Sequence, residues 1–425
     1  MKVTNSFEKI NPFGGINFVL EEARKCGILQ MIDNFLGERG KGHTYKYSDI
    51  FTSMWSVFFC GGDCAEDINT HFGEHLRSIP GFSVPSADVI LNGQKELADF
   101  KQFTISKEGK IHDVDINPEM NLLLLRLQKK LGLLKKGVGY TLDFDHQLIP
   151  CEKKDTEMSY KKLEGYFPGI CVINGMPVYI ENRSGRTNVK YLQEETLERA
   201  FLQFRQEGIK IERSRMDCGS YSKKIIKVVE SNCNSFYIRA QKCVGMESLI
   251  KEVTVWERRK IGKKYYQVAS VEYFPFGQKD KKYRLVIMKE PNKTGQMDLF
   301  TQDAMIYRCI LTNDWKTSEK KIIVFYNARG SAERVFDLMN NDFGWNKLPF
   351  SRMEENTVYL IMTAMCRSFF KHLVEKLANK QWFLPNIRIK KFIFGFITVA
   401  SKWTYRSRTK ILKMYTPKLY QHAFG

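Results

Sequence analysis

From Gly15 onwards apolar residues recur at intervals of three and four in INFVLEEARKCGILQMIDNFL, SDIFTSMWSVFF and NLLLLRLQKKLGLL. That spacing gathers them on one side of a helix and predicts an all-helical N-terminal region over residues 1–135. Within it, VPSADVILNGQKELADF places Ser86 as N-cap of a short helix that follows a turn. A helix so placed either packs or reads DNA, which makes Ser86 a candidate DNA contact. Near Gly137 the period shortens: VGYTLDF, GICVI and PVYIE read as strands set off by Gly and Pro turn signals. A helix over about 192–206, the strand IKIERSRM, the helix YSKKIIKVVESN and the strand SFYIRA follow. Strands alternating with helices predict an α/β layer over residues 136–240.

Residues 241–320 turn strand-rich again, in EVTVWER, YYQVASVEY and YRLVIMK, and read as a β-rich insertion. KIIVFYN then reads as one more strand. A helical tract from Ser331 through Leu377, broken near Gly344 and Pro349, completes a segment over 321–380. The last segment, 381–425, reads as helical and basic. From Pro385 it holds nine Lys or Arg and no acid, interleaved with Trp403, Tyr405, Tyr415 and Tyr420. Such a face suits a phosphate backbone, with Arg406 and Arg408 as candidate DNA contacts.

Charge strengthens that reading. Lys and Arg number 67 against 47 Asp and Glu, a net +20 over 425 residues, which favours a polyanionic partner. The most apolar run, Phe392 to Ala400, is flanked by lysines and falls far short of the ~20 residues of a membrane span. The N-terminal MKVTNSFEKINPFGG has no apolar stretch of the secretory kind, so a cytoplasmic, nucleoid-associated protein is expected. The ten cysteines form no paired metal-binding motif and are expected to be free thiols. Cys60 and Cys64 have no second ligand pair at finger-like spacing and read as buried side chains.

Three segments hold the four acidic residues that carry candidate chemistry. In LDFDHQ, Asp143 and Asp145 lie two apart on a strand and project from one face, where close negative charges call for a cation or a pKa shift. In RSRMDCGSYSKK, Asp217 ends a strand, a place where α/β sheets gather ligands and also one where Asp caps helices. In YNARGSAERVF, Glu333 opens a helix, four residues after Arg329 and seven after Tyr326. Its charge there would also favour the helix dipole.

The order Asp, Asp, insertion, Glu, with Tyr326-x-x-Arg329-x-x-x-Glu333, resembles the DDE transposases of bacterial insertion sequences. The phrases LDFD, KKLEGYFPG, ENRSGRTN, RSRMDCGSYS and YNARGSAER fall in the order of one group of them, over about Gly137 to Leu377. The resemblance implies an RNase H-like core, interrupted by the β-rich insertion and preceded by a helical DNA-binding region. It implies that Asp145, or Asp143 on the same face, joins Asp217 and Glu333 in holding two Mg²⁺ ions, for which Mn²⁺ substitutes. Tyr326 and Arg329 would lie near the bound DNA end. Where the family has a basic residue seven after the Glu this chain has Asn340, with Lys347 as a substitute. The implied reaction is cleavage at the terminal inverted repeats and strand transfer into target double-stranded DNA, by a homodimer holding two ends. A structure-specific nuclease and a catalytically silent DNA-binding descendant are the competing readings.

Overall fold

The computed structural model describes residues 1–5, 7–99, 101–106, 109–241, 243–277, 281–297 and 303–424. Phe100, at the end of the segment read as a recognition helix, lies outside them, as do 278–280 and 298–302 of the β-rich stretch. The chain divides into two compact units. Met1–Leu134, Ile149–Tyr166 and Asp337–Gly425 form one, and Lys135–Leu148 with Phe167–Phe336 the other.

The second unit is built on a mixed sheet. Its strands are β1 (Gly139–His146), β2 (Gly169–Ile173), β3 (Met176–Arg183), β4 (Lys210–Met216), β5 (Ser235–Arg239), β6 (Glu257–Ile261), β7 (Lys264–Tyr273), β8 (Tyr283–Pro291) and β9 (Met305–Thr312). They lie in the order β3-β2-β1-β4-β5-β9-β8-β7-β6. β1, β2 and β3 form an antiparallel meander, β4 is parallel to β1 and β5 to β4, and β6 to β9 are antiparallel. Parallel neighbours need long crossovers, and helices α1 (Gln193–Gln206) and α2 (Lys223–Asn232) supply them. Every residue of β2 and β3 is buried, which explains the unbroken apolar run GICVI. Arg183, buried at the end of β3, donates from Nη2 to the Leu192 carbonyl at 3.0 Å and so ties down the start of α1.

Two expected strands are different elements. KIIVFYN lies in a helix, α3 (Glu319–Asn327), which leads through a 3₁₀ turn at Ala328–Gly330 into α4 (Ser331–Asp342). A strand would put residues 322, 324 and 326 on one face. Instead Ile322, Ile323 and Tyr326 are buried while Val324 is half exposed, which is helical spacing. Ser318 at the N-cap position and Glu319 in the first turn favour the same outcome. The buried face packs on Tyr237, Val268, Val286, Met288 and Ile310 of the sheet, and that burial overrides the β-branched composition. EVTVWER straddles the end of a helix, Val244–Glu252, and the start of β6.

The first unit packs helices Ile16–Lys25, Ile28–Leu36, Tyr47–Cys60 and Pro118–Lys130 with the 27-residue helix Met353–Asn379. Trp55 donates to the Met362 carbonyl at 3.1 Å, and Gln128 to Ser368 Oγ at 2.9 Å, so these two polar groups inside the apolar bundle tie its helices together. The N-terminal region is not wholly helical, because Gln102–Ile105 and Ile111–Asp115 form an antiparallel hairpin. The C-terminal segment is only partly helical: the turn Ile389–Phe392 runs on into a π-helical stretch, Ile393–Ile397, and a hairpin follows, Ser401–Arg406 with Thr409–Met414. Alternation in SKWTYR, with Ser407 and Arg408 both at positive φ in the two-residue turn, sets that hairpin. Among the described residues no helix is long and apolar enough to cross a membrane.

Candidate active site

The second unit brings three of the four acidic candidates together around one arginine. β1 and β4 run parallel with Phe144 opposite Met216. Asp145 and Asp217 each follow by one residue, at the carboxyl ends of adjacent strands spaced about 4.8 Å apart. Arg329, in the turn between α3 and α4, donates from Nη1 to Asp145 Oδ2 at 2.7 Å, and its Nη2 lies 3.7 Å from Glu333 Oε1. Glu333 is in the first turn of α4 with its side chain 69% exposed. Asp217 Oδ1 accepts from Gly219 N at 2.9 Å, so this carboxylate caps a turn with one oxygen.

Electrostatics single out Asp145. Burial, and then the charge of Asp217, push its carboxyl up to about 6 against the pull of Arg329. Asp143 lies two residues earlier and is committed elsewhere. Its two oxygens accept from Arg215 Nε and Nη2 at 2.6 and 2.7 Å, a bidentate pair almost wholly buried. Burial still raises its carboxyl, with Arg215 opposing.

Arg215 also donates from Nη1 to the Phe325 carbonyl at 2.7 Å, and the Phe325 ring lies 4.6 and 4.7 Å from the guanidinium carbons of Arg213 and Arg215. Tyr326 is buried, and its hydroxyl donates to the Met216 carbonyl at 3.1 Å. Arg215 and Tyr326 therefore fasten the end of α3 to the end of β4, next to Asp217. Sequence reasoning did not single out Arg215. Its signal was the alternation in Arg213-Ser214-Arg215, which becomes informative only once β4 is known to run parallel to β1 with Arg215 opposite Asp143.

The remaining candidates lie in the first unit. Lys347 is exposed and ion-paired to Asp63. Ser86 stands at the N-cap position of the helix Ala87–Lys95, without a side-chain capping bond. Arg406 and Arg408 are exposed at the end and turn of the C-terminal hairpin. Cys60 is buried as expected, Cys64 is half-buried, and all ten cysteines are free.

Carboxylate oxygens are hard donors suited to Mg²⁺ or Mn²⁺. The repulsion that raises Asp145 is what a divalent cation would relieve, so Asp145 and Asp217 fit such an ion. Among the described residues these acids do not stand with Glu333 as a group of ligand atoms within 4.8 Å of one another. Arg329 supplies the countercharge between them.

A family model described as transposase DDE domain group 1 matches residues 2–425. No curated protein matches the chain. Among solved structures, the cryo-EM structure of the piggyBac transposase synaptic complex with hairpin DNA aligns at 12% identity and TM-score 0.43, over 90% of this chain and 78% of that one. The Drosophila P element transposase strand transfer complex aligns at 13% identity and TM-score 0.26, over 58% of this chain and 52% of that one.

Proposed function

The chain belongs to the transposase DDE domain family, group 1, and on that premise we propose that it cuts DNA at the ends of an insertion sequence and joins them to target DNA. One observation carries the site assignment: Asp145 and Asp217 meet at the ends of parallel β1 and β4, and Arg329 links Asp145 to Glu333. The sheet order β3-β2-β1-β4-β5, with β1, β4 and β5 parallel, supports an RNase H-like core into which residues 241–320 are inserted.

In this reading Asp145, Asp217 and Glu333 hold Mg²⁺. Bound there, two such ions would supply the Lewis acidity that activates an attacking water or 3′-hydroxyl and eases departure of the leaving oxygen. Asp145, which is far less exposed than Glu333 and lies beside Asp217, would be the central carboxylate of such a set. Glu333 would complete the set with its exposed side chain turned inward. With a cation pairing Asp145 in its stead, the planar fork of Arg329 would be available to grip a phosphate of the DNA end. Tyr326 keeps the α3 end against β4 and does not act as a nucleophile, because its buried hydroxyl is spent on a carbonyl. Exposed Arg406, Arg408 and Lys347, with Ser86, contribute to holding double-stranded DNA, and a homodimer pairs the two ends.

The test is incubation of purified protein with Mg²⁺ and labelled DNA carrying its element's ends, beside Glu333→Ala. Joined products that vanish in the variant support the proposal. Cleavage without joining points to a nuclease, and binding with neither to a silent descendant.

A further inference from the structure

In the helical unit, far along the chain from the acidic triad, a buried carboxylate gathers three side chains. Glu22, on the helix Ile16–Lys25, is 1% exposed. Its Oε1 accepts from Cys26 Sγ at 3.1 Å, one turn along the same helix, and from Lys376 Nζ at 2.7 Å, and lies 2.9 Å from His372 Nε2. Cys26 Sγ and His372 Nε2 are 3.5 Å apart. Glu22 Oε2 is buried and has no hydrogen-bond partner. A lone oxygen of this kind is costly unless something else takes it up.

The ring of His372 adds a second constraint. Nδ1 lies 3.2 Å from the Leu131 carbonyl, and Nε2 faces Glu22. A neutral imidazole has one proton for two oxygen neighbours. If that proton is on Nδ1, the Nε2 side is met by a second ring proton or by a cation. Metal-binding histidines use this arrangement, with the far nitrogen donating to a backbone carbonyl.

We propose that Glu22, Cys26 and His372 form a binding site for a zinc-type divalent cation, separate from the Mg²⁺ site of the acidic triad. One sulfur, one imidazole nitrogen and one carboxylate make a donor set that such an ion prefers to Mg²⁺. In a tetrahedral site with Zn–S about 2.3 Å and Zn–N or Zn–O about 2.0–2.1 Å, ligand atoms stand roughly 3.3–3.6 Å apart. The 2.9, 3.1 and 3.5 Å separations here form nearly such a face already. Lys376 now holds the place of the cation. Its side chain is 42% exposed and long enough to swing into water, leaving the fourth position to a water molecule. The ion would exchange for the Cys26 thiol proton, giving a metal thiolate and a proton released to solvent.

The experiment is titration of the full-length, chelator-treated protein with Co²⁺ in saturating Mg²⁺, following thiolate-to-cobalt charge-transfer absorption, which carboxylate sites lack. The expected result is one equivalent bound, bleached by Zn²⁺. The signal should be lost in Cys26→Ser, weakened at least about 100-fold in His372→Gln, and retained in Cys64→Ser, which tests the separate Asp63, Cys64 and Asp67 group. Lys376→Gln leaves every ligand in place and removes the competing ammonium, so it should tighten binding about tenfold, the scale of one charge interaction in a half-buried site. No thiolate signal in the wild type, a signal that survives Cys26→Ser or depends on Cys64, or an affinity unmoved by Lys376→Gln would overturn the proposal.

Discussion

Asp143 and Asp145 stand two residues apart on β1, the same side chain on the same strand, yet their surroundings could hardly differ more. Asp143 has both oxygens taken by one guanidinium, in a pair that also anchors the Phe325 carbonyl. Asp145 shares Arg329 with Glu333 through a single oxygen and faces the charge of Asp217. The inner part of the strand is satisfied within the fold. Its exit is left short of positive charge, and that shortage is what a cation-binding site requires.

Activity should separate the two positions most sharply. Asp217→Ala, which leaves the Asp143–Arg215 pair untouched, is expected to cut strand cleavage and joining by about 10⁴-fold, the scale of losing one member of a catalytic constellation. Low-salt DNA binding, measured by mobility shift, should persist. Retained cleavage would remove Asp217 from the site and with it the contrast along β1.

Asp143→Ala should act on the fold instead. Leaving Arg215 buried without its partner is expected to cost about 3–5 kcal/mol in denaturant unfolding. A loss below about 1 kcal/mol would mean that the pair is not the structural one of the two.

Asp145→Asn should move stability the other way. Because the folded-state carboxyl is raised from 3.8 to about 6, the neutral form's contribution is complete below about pH 4 and is lost as the pH rises through 6. The roughly two-unit difference corresponds to about 3 kcal/mol. In chelator at pH 8 the variant should therefore unfold at higher temperature than the parent, by an amount that shrinks to nothing near pH 4, while being inactive. An equal or lower melting temperature at pH 8 would show that Asp145 is as well satisfied as Asp143.

Much of this was legible beforehand. Alternation of periods located β1 to β5 with α1 and α2, and the spacing of Tyr326, Arg329 and Glu333 pointed to the acidic residues. Local pattern failed where burial by distant residues decided the outcome. Ile322, Ile323 and Val324 look like a strand until their unequal burial against β7, β8 and β9 is seen. The hairpin at 102–115 was hidden because Phe103 and Ile105 are exposed, so apolar alternation there marks no core. Arg215 stayed hidden for a related reason: its partner lies 72 residues away and is chosen by a parallel register that a single strand's text does not contain.

Tyr326 tests whether the contrast along β1 depends on how α3 is seated. Its hydroxyl meets the Met216 carbonyl one residue before Asp217, and Arg215 holds the neighbouring Phe325 carbonyl. The two bonds share one task, so removing the weaker should loosen the seat without unfolding it. Tyr326→Phe keeps the ring in its apolar cluster and deletes one buried neutral hydrogen bond, with an expected loss of about 1 kcal/mol. If seating is all that Tyr326 provides, turnover should fall modestly while DNA affinity stays unchanged, since the buried hydroxyl offers nothing to DNA. Weaker DNA binding with unchanged stability would instead place Tyr326 at the DNA end, as the family resemblance first implied, and would require α3 to shift when DNA binds.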